Sequence, residues 1–289
     1  MRNKSGKRPI VFKREQAIKT APVEVPCGQC IGCRLERSRE WAVRCVHEAS
    51  LHTDNCFLTL TYNDDKLPSD GSLNKEHFPA FMKRLRARLE GLKIRYFHCG
   101  EYGEENHRPH YHACLFGFAF PDRVHYSTER GVRLYYSPML EETWGHGFCS
   151  VGELTFESAA YVARYVLKKV NGPKAYDHYL SVNATTGVIS EIQPEYTTMS
   201  RRPGIAHGWY SKFASDIYPD DFVVVRGAKS GVPRFYDKRF EIDDPGEYLR
   251  IKNARILRAL ERAQNNTPER LAVREKVTQR RIKNLTRPV

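Results

Sequence analysis

Three stretches of the chain repeat apolar residues every three or four positions, which is the spacing of one face of an α-helix. They span residues 34–52, 77–92 and 158–170. In the second stretch, lysine and arginine side chains lie between the apolar positions. We therefore predict three amphipathic helices, the second of them with a basic outer side.

Other stretches are rich in the β-branched and aromatic residues that favour strands. Strands are predicted over residues 57–62, 94–102, 110–118, 132–136 and 222–225. A short glycine-containing polar segment joins the second and third of these runs, so they are predicted to form an antiparallel hairpin.

The last part of the chain predicts helix with one break. Helical spacing begins near residue 248 and is interrupted at residues 265–268, which read Asn-Asn-Thr-Pro. These patterns predict four segments: a basic arm with a cysteine cluster (1–50), a core (51–175), an extension of the core (176–246) and a basic helical tail (247–289).

The charge of the chain indicates a polyanionic partner. Its 289 residues include 47 lysines and arginines against 34 acidic residues, for a formal net charge of +13. The tail alone holds 12 basic and 4 acidic side chains. This charge is typical of nucleic-acid binding, although a merely solvated basic helix has the same composition. No apolar run reaches the roughly 18 residues of a membrane span, and no signal segment is evident, so neither membrane insertion nor secretion is expected.

Eight cysteines in such a chain favour thiols or metal ligands over a disulfide framework. Cys27, Cys30 and Cys33 have the spacing with which thiolates converge on a structural zinc ion. The fourth ligand is open, with three candidates: Cys45, His47 and Cys56. Free buried thiols are the alternative, and an iron–sulfur cluster is disfavoured because the usual fourth cysteine and proline are missing.

Two histidines of the predicted hairpin are placed to bind one metal ion. His110 and His112 are two residues apart on a strand, so both side chains point to the same face. With the turn centred between residues 105 and 106, Glu101 lies opposite His110 and diagonal to His112. This mixed nitrogen and oxygen set suits Mg²⁺ or Mn²⁺ in phosphoryl chemistry. Glu104 and His98 are less favoured third ligands, and an ordinary polar surface is the alternative to a metal site.

The third predicted helix carries two tyrosines on one side. Tyr161, Tyr165 and Lys168 fall at i, i+4 and i+7, away from the aliphatic residues of the helix. With Arg164 and Lys169, this helix surrounds the hydroxyls with positive charge, which stabilises a phenolate. The tyrosines are therefore predicted nucleophiles toward a metal-polarised phosphodiester, with core packing as the alternative. Attack would leave a phosphotyrosine ester and a free 3′-hydroxyl, and a second tyrosine allows a second transfer.

Three segments in this order resemble the HUH endonucleases of rolling-circle replication: residues 57–62, 109–112 (Pro-His-Tyr-His) and 161–169 (Tyr-Val-Ala-Arg-Tyr-Val-Leu-Lys-Lys). Three further segments resemble the replication initiation proteins of gokushoviruses, within the microviruses: residues 26–34, 100–103 and 199–204. The central residue of the histidine pair is Tyr111 rather than a bulky aliphatic residue, which departs from the family pattern but keeps the alternation.

The resemblance implies an α+β fold in which helices flank a central antiparallel sheet of ferredoxin-like type, with residues 51–175 as the endonuclease core. It also implies Mg²⁺ or Mn²⁺ on His110 and His112, nucleophilic Tyr161 and Tyr165, and Lys168 or Lys169 on the scissile phosphate. The implied substrate is single-stranded DNA at a replication origin. The implied setting is the cytoplasm of a bacterial host, with the host helicase and polymerase as further partners.

Other residues are less sharply placed by the sequence. Arg164, Arg201 and Arg202 are predicted DNA contacts, the last two in the basic and aromatic segment 196–210, which could equally be an ordinary solvated loop. Trp144 and Phe148 could pack either in the core or on an unpaired base.

Two other functions are compatible with parts of the chain. A zinc-stabilised protein that coats single strands without cutting them would explain the cysteines and the basic tail. A transposase or relaxase would share the chemistry on another substrate. The joint presence of Glu101, the histidine pair and the two tyrosines favours a replication initiator.

Overall fold

The computed structural model describes residues 11, 15, 25–103, 106–129, 131–165, 169–170, 172, 175–182 and 187–283. Its elements follow in this order: α1 (Ile31–Ala49), β1 (Asn55–Leu60), α2 (His77–Arg88), β2 (Arg95–Tyr102), β3 (Pro109–Phe116), β4 (Val124–Glu129), β5 (Val132–Tyr136), α3 (Pro138–Trp144), β6 (Cys149–Gly152), α4 (Phe156–Tyr165), α5 (Ala175–His178), β7 (Leu180–Val182), β8 (Ile189–Glu191), β9 (Tyr196–Met199), α6 (His207–Phe213), β10 (Val223–Val225), β11 (Ala228–Ser230), α7 (Arg234–Asp243), α8 (Pro245–Glu261) and α9 (Pro268–Lys283). Within these residues, no helix is both long and apolar enough to cross a membrane.

Seven strands form one antiparallel sheet in the order β4-β5-β6-β1-β3-β2-β9. At its centre β1 pairs with β3, from Asn55 opposite Phe116 to Leu60 opposite Tyr111. β2 lies between β3 and the edge strand β9. The hairpins β7–β8 and β10–β11 form two small separate sheets. The predicted α+β class, with helices flanking a central antiparallel sheet, is confirmed.

The sheet separates two apolar layers because successive strand residues point to opposite faces. On one face Phe57 and Phe97 pack with residues of α1, α4 and α6. On the other face Leu58 and Tyr111 pack with residues of α2 and α3. We call the first the α4 face and the second the α2 face. The parity of a strand residue therefore decides which layer its side chain enters.

The start of α4 is set by a reciprocal cap. Thr155 Oγ1 accepts a hydrogen bond from the Ser158 backbone N–H at 3.2 Å, and Ser158 Oγ accepts one from the Thr155 N–H at 2.8 Å. Such pairs satisfy amide groups that the first helical turn leaves without partners. The helix consequently begins at Phe156, two residues before the predicted start.

α4 packs antiparallel against α1. Ser38 Oγ donates to the Ala160 carbonyl at 3.2 Å, and Arg34, one turn earlier in α1, donates to the Lys169 carbonyl at 2.8 Å. Small side chains permit a short distance between helix axes. The buried alanines in this layer are Ala42, Ala159 and Ala163.

The predicted helices and strands between residues 34 and 118 are confirmed with small shifts in their ends. The predicted helix over 158–170 is wrong at its end, since Lys169 and Val170 lie outside any helix. The Val170 N–H donates to the Tyr179 hydroxyl at 3.0 Å, a side-chain partner in place of a helical carbonyl. In the tail, α8, the break and α9 match the prediction.

Candidate metal and tyrosine site

The β2–β3 hairpin brings Glu101, His110 and His112 together on the α4 face. Glu101 lies directly opposite His110 in the strand register, as the hairpin spacing predicts. Its Oε1 atom is 2.9 Å from His110 Nε2 and 3.1 Å from His112 Nε2. Glu101 is 1% exposed and His112 is 2% exposed, whereas His110 is only partly buried. The group is thus closed toward the core and reachable at His110.

The other ring nitrogen of each histidine also has a protein partner. His110 Nδ1 is 3.1 Å from the Arg108 carbonyl oxygen, which can only accept, so Nδ1 carries the proton. His112 Nδ1 is 3.0 Å from Thr59 Oγ1 on the neighbouring strand β1. In a neutral His110 ring, the Nε2 lone pair is then directed at Glu101. Partners of this kind on Nδ1 are usual for histidines that bind a metal through Nε2.

Glu101 is ionised in spite of its burial. Burial by itself raises the pKa of a carboxyl group, but hydrogen bonds and charge from His110 and His112 outweigh it and lower the Glu101 pKa below its ordinary value. The carboxylate and the two imidazoles offer three ligand atoms within 4.8 Å of one another. The chemistry of this donor set fits a divalent cation such as Mg²⁺ or Mn²⁺.

His98, a less favoured third ligand in the sequence prediction, does not belong to this group. It is fully buried on the α2 face, where its ring stacks 3.6 Å from Phe78. Its Nδ1 atom is 3.0 Å from Thr198 Oγ1. The assignment is wrong because His98 has the opposite strand parity from Glu101. Glu104, the other substitute, lies outside the described residues.

α4 places Tyr161 beside the histidines. The Tyr161 ring lies 5.0 Å from the His112 ring, centroid to centroid, with the planes at 81°. It also meets Phe57 edge to face at 6.3 Å. The side chain is partly buried and packs at the border of the core. Tyr161 therefore combines a packing contact with a position next to the candidate metal group.

The remaining predicted residues of the tyrosine helix are placed less completely. Tyr165 is the final residue of α4, four positions after Tyr161 and so on the same side of the helix. Arg164 is partly buried. Lys169 follows the helix, where Arg34 binds its carbonyl. Lys168 lies outside the described residues.

The structure does not bring Arg201 and Arg202 to the metal group. Both are exposed and follow β9, whose Met199 lies opposite Phe97 of β2. Arg201 therefore lies near the beginning of β2, whereas Glu101 lies near its end. Six strand residues separate these levels, which is about 20 Å.

The segment 196–210 is not the solvated loop that the sequence allowed. Its first part is the edge strand β9, and Tyr210 of α6 is buried. Trp209 stacks on His47 with ring centroids 3.6 Å apart. The aromatic residues of this segment anchor α6 to α1, which leaves Arg201 and Arg202 as its exposed basic residues.

An exposed aromatic pair that the sequence does not single out lies two strands from the histidines. Phe148 is 44% exposed and Tyr126 is 45% exposed, and their rings meet edge to face at 5.8 Å. Ser150, two residues after Phe148, lies opposite Thr59, and Thr59 lies opposite His112. Neighbouring strands are about 4.8 Å apart, so this aromatic pair lies about 10 Å from the strand of the histidines.

Gly147 determines where Phe148 stands. Its φ is +152°, and a Cβ there would lie 2.3 Å from the Asn63 backbone nitrogen. This close approach lets the Thr61 N–H donate to the Phe148 carbonyl at 3.0 Å. Trp144, by contrast, is fully buried and donates from Nε1 to the Thr61 carbonyl at 2.6 Å. Of the two aromatic residues that the sequence left open, Trp144 is therefore core and Phe148 is surface.

Cys27, Cys30 and Cys33 lie together at the beginning of α1. Their three Sγ atoms are within 4.8 Å of one another. The Cys30 N–H donates to Cys27 Sγ at 3.2 Å. This hydrogen bond and one from the backbone of Gln29 lower the pKa of the Cys27 thiol to about 7. We call these residues the cysteine cluster.

None of the three predicted candidates for a fourth ligand joins the cysteine cluster. Cys45 is buried on the α4 face and Cys56 on the α2 face. His47 Nδ1 is 2.8 Å from the Tyr236 hydroxyl, beneath Trp209. Cys45 and His47 lie at least three helical turns beyond Cys33, about 18 Å or more along α1, which explains why these assignments are wrong.

Comparison with known proteins places the chain among phage proteins. Residues 55–170 match the family described as Replication-associated protein ORF2. The chain is 34% identical over 250 residues to Replication-associated protein VP4 of Bdellovibrio phage phiMH2K, which covers 83% of this chain and 75% of that protein. It is 33% identical over 287 residues to Replication-associated protein ORF2 of Spiroplasma virus 4, covering 92% and 85%. No solved structure matches the chain.

Proposed function

This chain belongs to the family of phage replication-associated proteins, and we propose that it nicks and rejoins single-stranded DNA at a viral origin. Family membership confirms the resemblance to microvirus replication proteins that the motifs predict. The region matched by the family, residues 55–170, includes both the histidine pair and the two tyrosines. The nicking chemistry is our proposal.

The observation that carries this proposal is the contact of Tyr161 with His112 beside Glu101 and His110. Glu101, His110 and His112 would hold Mg²⁺ or Mn²⁺. The bound ion would withdraw charge from the scissile phosphate. A tyrosine hydroxyl on α4 would lose its proton to solvent and attack the phosphorus. A new bond then joins the tyrosine oxygen to phosphorus as the bond to the 3′ oxygen breaks, and the 3′ oxygen leaves as a hydroxyl.

The resulting 5′-phosphotyrosine conserves the energy of the broken phosphodiester. A later attack by a 3′-hydroxyl would therefore rejoin the strand without ATP. With Tyr161 and Tyr165 on one side of α4, one tyrosine would hold the first 5′ end while the other cuts the regenerated origin. We place this activity in the cytoplasm of a bacterial host, where the host helicase and polymerase would extend the free 3′ end.

Purified protein with Mn²⁺ is expected to cleave a single-stranded oligonucleotide that contains the origin and to become attached to the 5′ phosphate of the downstream fragment. Denaturing electrophoresis of an oligonucleotide labelled at its 3′ end detects the attached species. Chelation of the metal before mixing is the control and should remove the adduct. Absence of any adduct across a panel of microvirus origin sequences would contradict the nicking function.

We further propose that Phe148 and Tyr126 stack an unpaired base of the substrate. Both rings are exposed, two strands from the histidines. Tyr126 also lies within hydrogen-bonding reach of Ser150, which fixes its orientation at the sheet. Aromatic residues on the surface of a sheet are a common platform for single-stranded nucleic acid, since every base has a face on which to stack.

Replacement of Phe148 by alanine should weaken binding of single-stranded origin DNA by about 5- to 150-fold, the equivalent of about 1–3 kcal/mol for one stacked base. Fluorescence anisotropy without metal measures binding separately from cleavage. The matched control is Tyr176→Ala, which removes an aromatic ring that is 67% exposed on α5. Equal affinities of the Phe148→Ala variant and the wild type would refute the stacking role.

A further inference from the structure

The cysteine cluster has the geometry of a metal site rather than of packed thiols. A zinc ion with Zn–S bonds of about 2.3 Å in a tetrahedron holds its sulfur ligands about 3.8 Å apart. Cys27 Sγ and Cys33 Sγ are 4.0 Å apart, and all three Sγ atoms lie within 4.8 Å of one another. Only small side-chain rotations separate this arrangement from zinc coordination.

A disulfide or a set of packed thiols fits the cysteine cluster less well. A disulfide requires sulfur atoms about 2.05 Å apart, and three thiols would leave one unpaired. Free buried thiols, the alternative that the sequence left open, do not describe these residues, because Cys27 and Cys30 are exposed and Cys33 is partly buried. The other five cysteines are buried in the apolar layers. The cluster therefore has no packing role that would explain it.

Backbone and charge around the cluster also suit bound thiolates. The Cys30 N–H already donates to Cys27 Sγ, an interaction that stabilises a negative sulfur. Three thiolates on Zn²⁺ carry one net negative charge. The Arg37 guanidinium lies 3.6 Å from the point where a Cβ of Gly28 would stand, in the loop between Cys27 and Cys30.

We propose that Cys27, Cys30 and Cys33 bind one zinc ion and thereby fix the beginning of α1 against the end of the tyrosine helix. Three thiol protons are released to solvent as the three zinc–sulfur bonds form. All histidines and cysteines of the chain are among the described residues, and none of the others lies with this group. Solvent therefore takes the fourth position.

The link to the tyrosine helix follows from the antiparallel packing of α1 and α4. Arg34, next to Cys33, donates to the Lys169 carbonyl at 2.8 Å, and Ser38 donates to the Ala160 carbonyl one turn further on. A zinc ion at the beginning of α1 would hold Arg34 in the position that binds this carbonyl. Binding of zinc does not depend on the nicking function, whereas its consequence for catalysis rests on the function proposed above.

Metal analysis by mass spectrometry tests the site directly. Protein expressed in zinc-containing medium and purified without chelator should hold one zinc per chain. The Cys27→Ser, Cys30→Ser, Cys33→Ser triple variant should lose at least nine-tenths of it, and the single Cys30→Ser variant should lose most of it. The His110→Ala, His112→Ala variant is the matched control and should keep its zinc. Wild-type protein without zinc, or a triple variant that retains it, overturns the proposal.

Cobalt and hydrogen exchange distinguish ligation from a general effect on folding. Wild-type protein reconstituted with Co²⁺ should show the near-ultraviolet absorption of sulfur-to-cobalt charge transfer, whereas the triple variant should not. Amides of residues 31–34 and 169–170 should exchange at least tenfold faster in the triple variant, while those of α2 keep their rate. Unchanged exchange at both segments would overturn the proposed link between zinc and the tyrosine helix.

Discussion

Replacing both tyrosines of α4 by phenylalanine is expected to abolish the covalent DNA adduct, with a loss of more than about 10³-fold in the rate of its formation. The Tyr161→Phe, Tyr165→Phe variant lacks both hydroxyls but retains the aromatic rings. It therefore preserves the contacts of Tyr161 with His112 and Phe57. Binding of single-stranded DNA should stay within about threefold of the wild type, since only the nucleophile is removed. Gel analysis of 3′-labelled origin DNA measures the adduct, and anisotropy measures binding.

The matched control for this variant is Tyr176→Phe, because Tyr176 is an exposed tyrosine on α5, outside the proposed site. Its adduct should form at the wild-type rate. Each single variant should retain a first cleavage on the remaining tyrosine but fail in the second transfer, which depends on the other hydroxyl. An adduct that persists in the double variant would mean that another side chain is the nucleophile.

Loss of His112 should have the second-largest effect. The His112→Ala variant removes one of three converging ligand atoms and the ring that Tyr161 contacts. We expect Mn²⁺ affinity to fall by about 100-fold or more, because even partners of a ligand typically contribute 10- to 100-fold. Cleavage at fixed Mn²⁺ should fall with it. Isothermal titration with Mn²⁺ measures the affinity, and circular dichroism establishes that the fold is intact.

A graded companion to this variant is Thr59→Val, which keeps the shape of the side chain but removes the hydroxyl at 3.0 Å from His112 Nδ1. Its Mn²⁺ affinity should fall by about 10- to 100-fold, less than for His112→Ala. The exposed His178 on α5 supplies the control, and His178→Ala should bind Mn²⁺ as the wild type does. Wild-type affinity in His112→Ala would exclude this group as the metal site.

The catalytic group could be predicted from sequence because local rules determine it. The turn position fixes the hairpin register, and the register places Glu101 opposite His110. Strand parity then separates His112 from Tyr111 and excludes His98 from the group. Helical periodicity placed both tyrosines on one side of α4, and its aliphatic side is buried, with Val162 in the core.

Features that depend on distant parts of the chain could not be predicted in the same way. β6 has four residues and β9 has four, too few for a periodic pattern, and each exists because a neighbouring strand supplies its partner. Phe148 is exposed because Gly147 lies against the Asn63 backbone, a contact between remote segments. The end of α4 likewise depends on Tyr179 and Arg34, which lie outside the helix.

The distance between the aromatic pair and the histidine strand limits what the sheet can recognise. About 10 Å corresponds to some three stacked nucleotides at about 3.4 Å each, and to fewer when the strand is extended. A base held by Phe148 and Tyr126 would thus lie within a few nucleotides of the scissile phosphate, always on the same side of it. Stacking accepts all four bases alike. This platform would therefore set the polarity and tension of the strand, and the choice of nick sequence would fall to side chains that reach base edges elsewhere on the molecule.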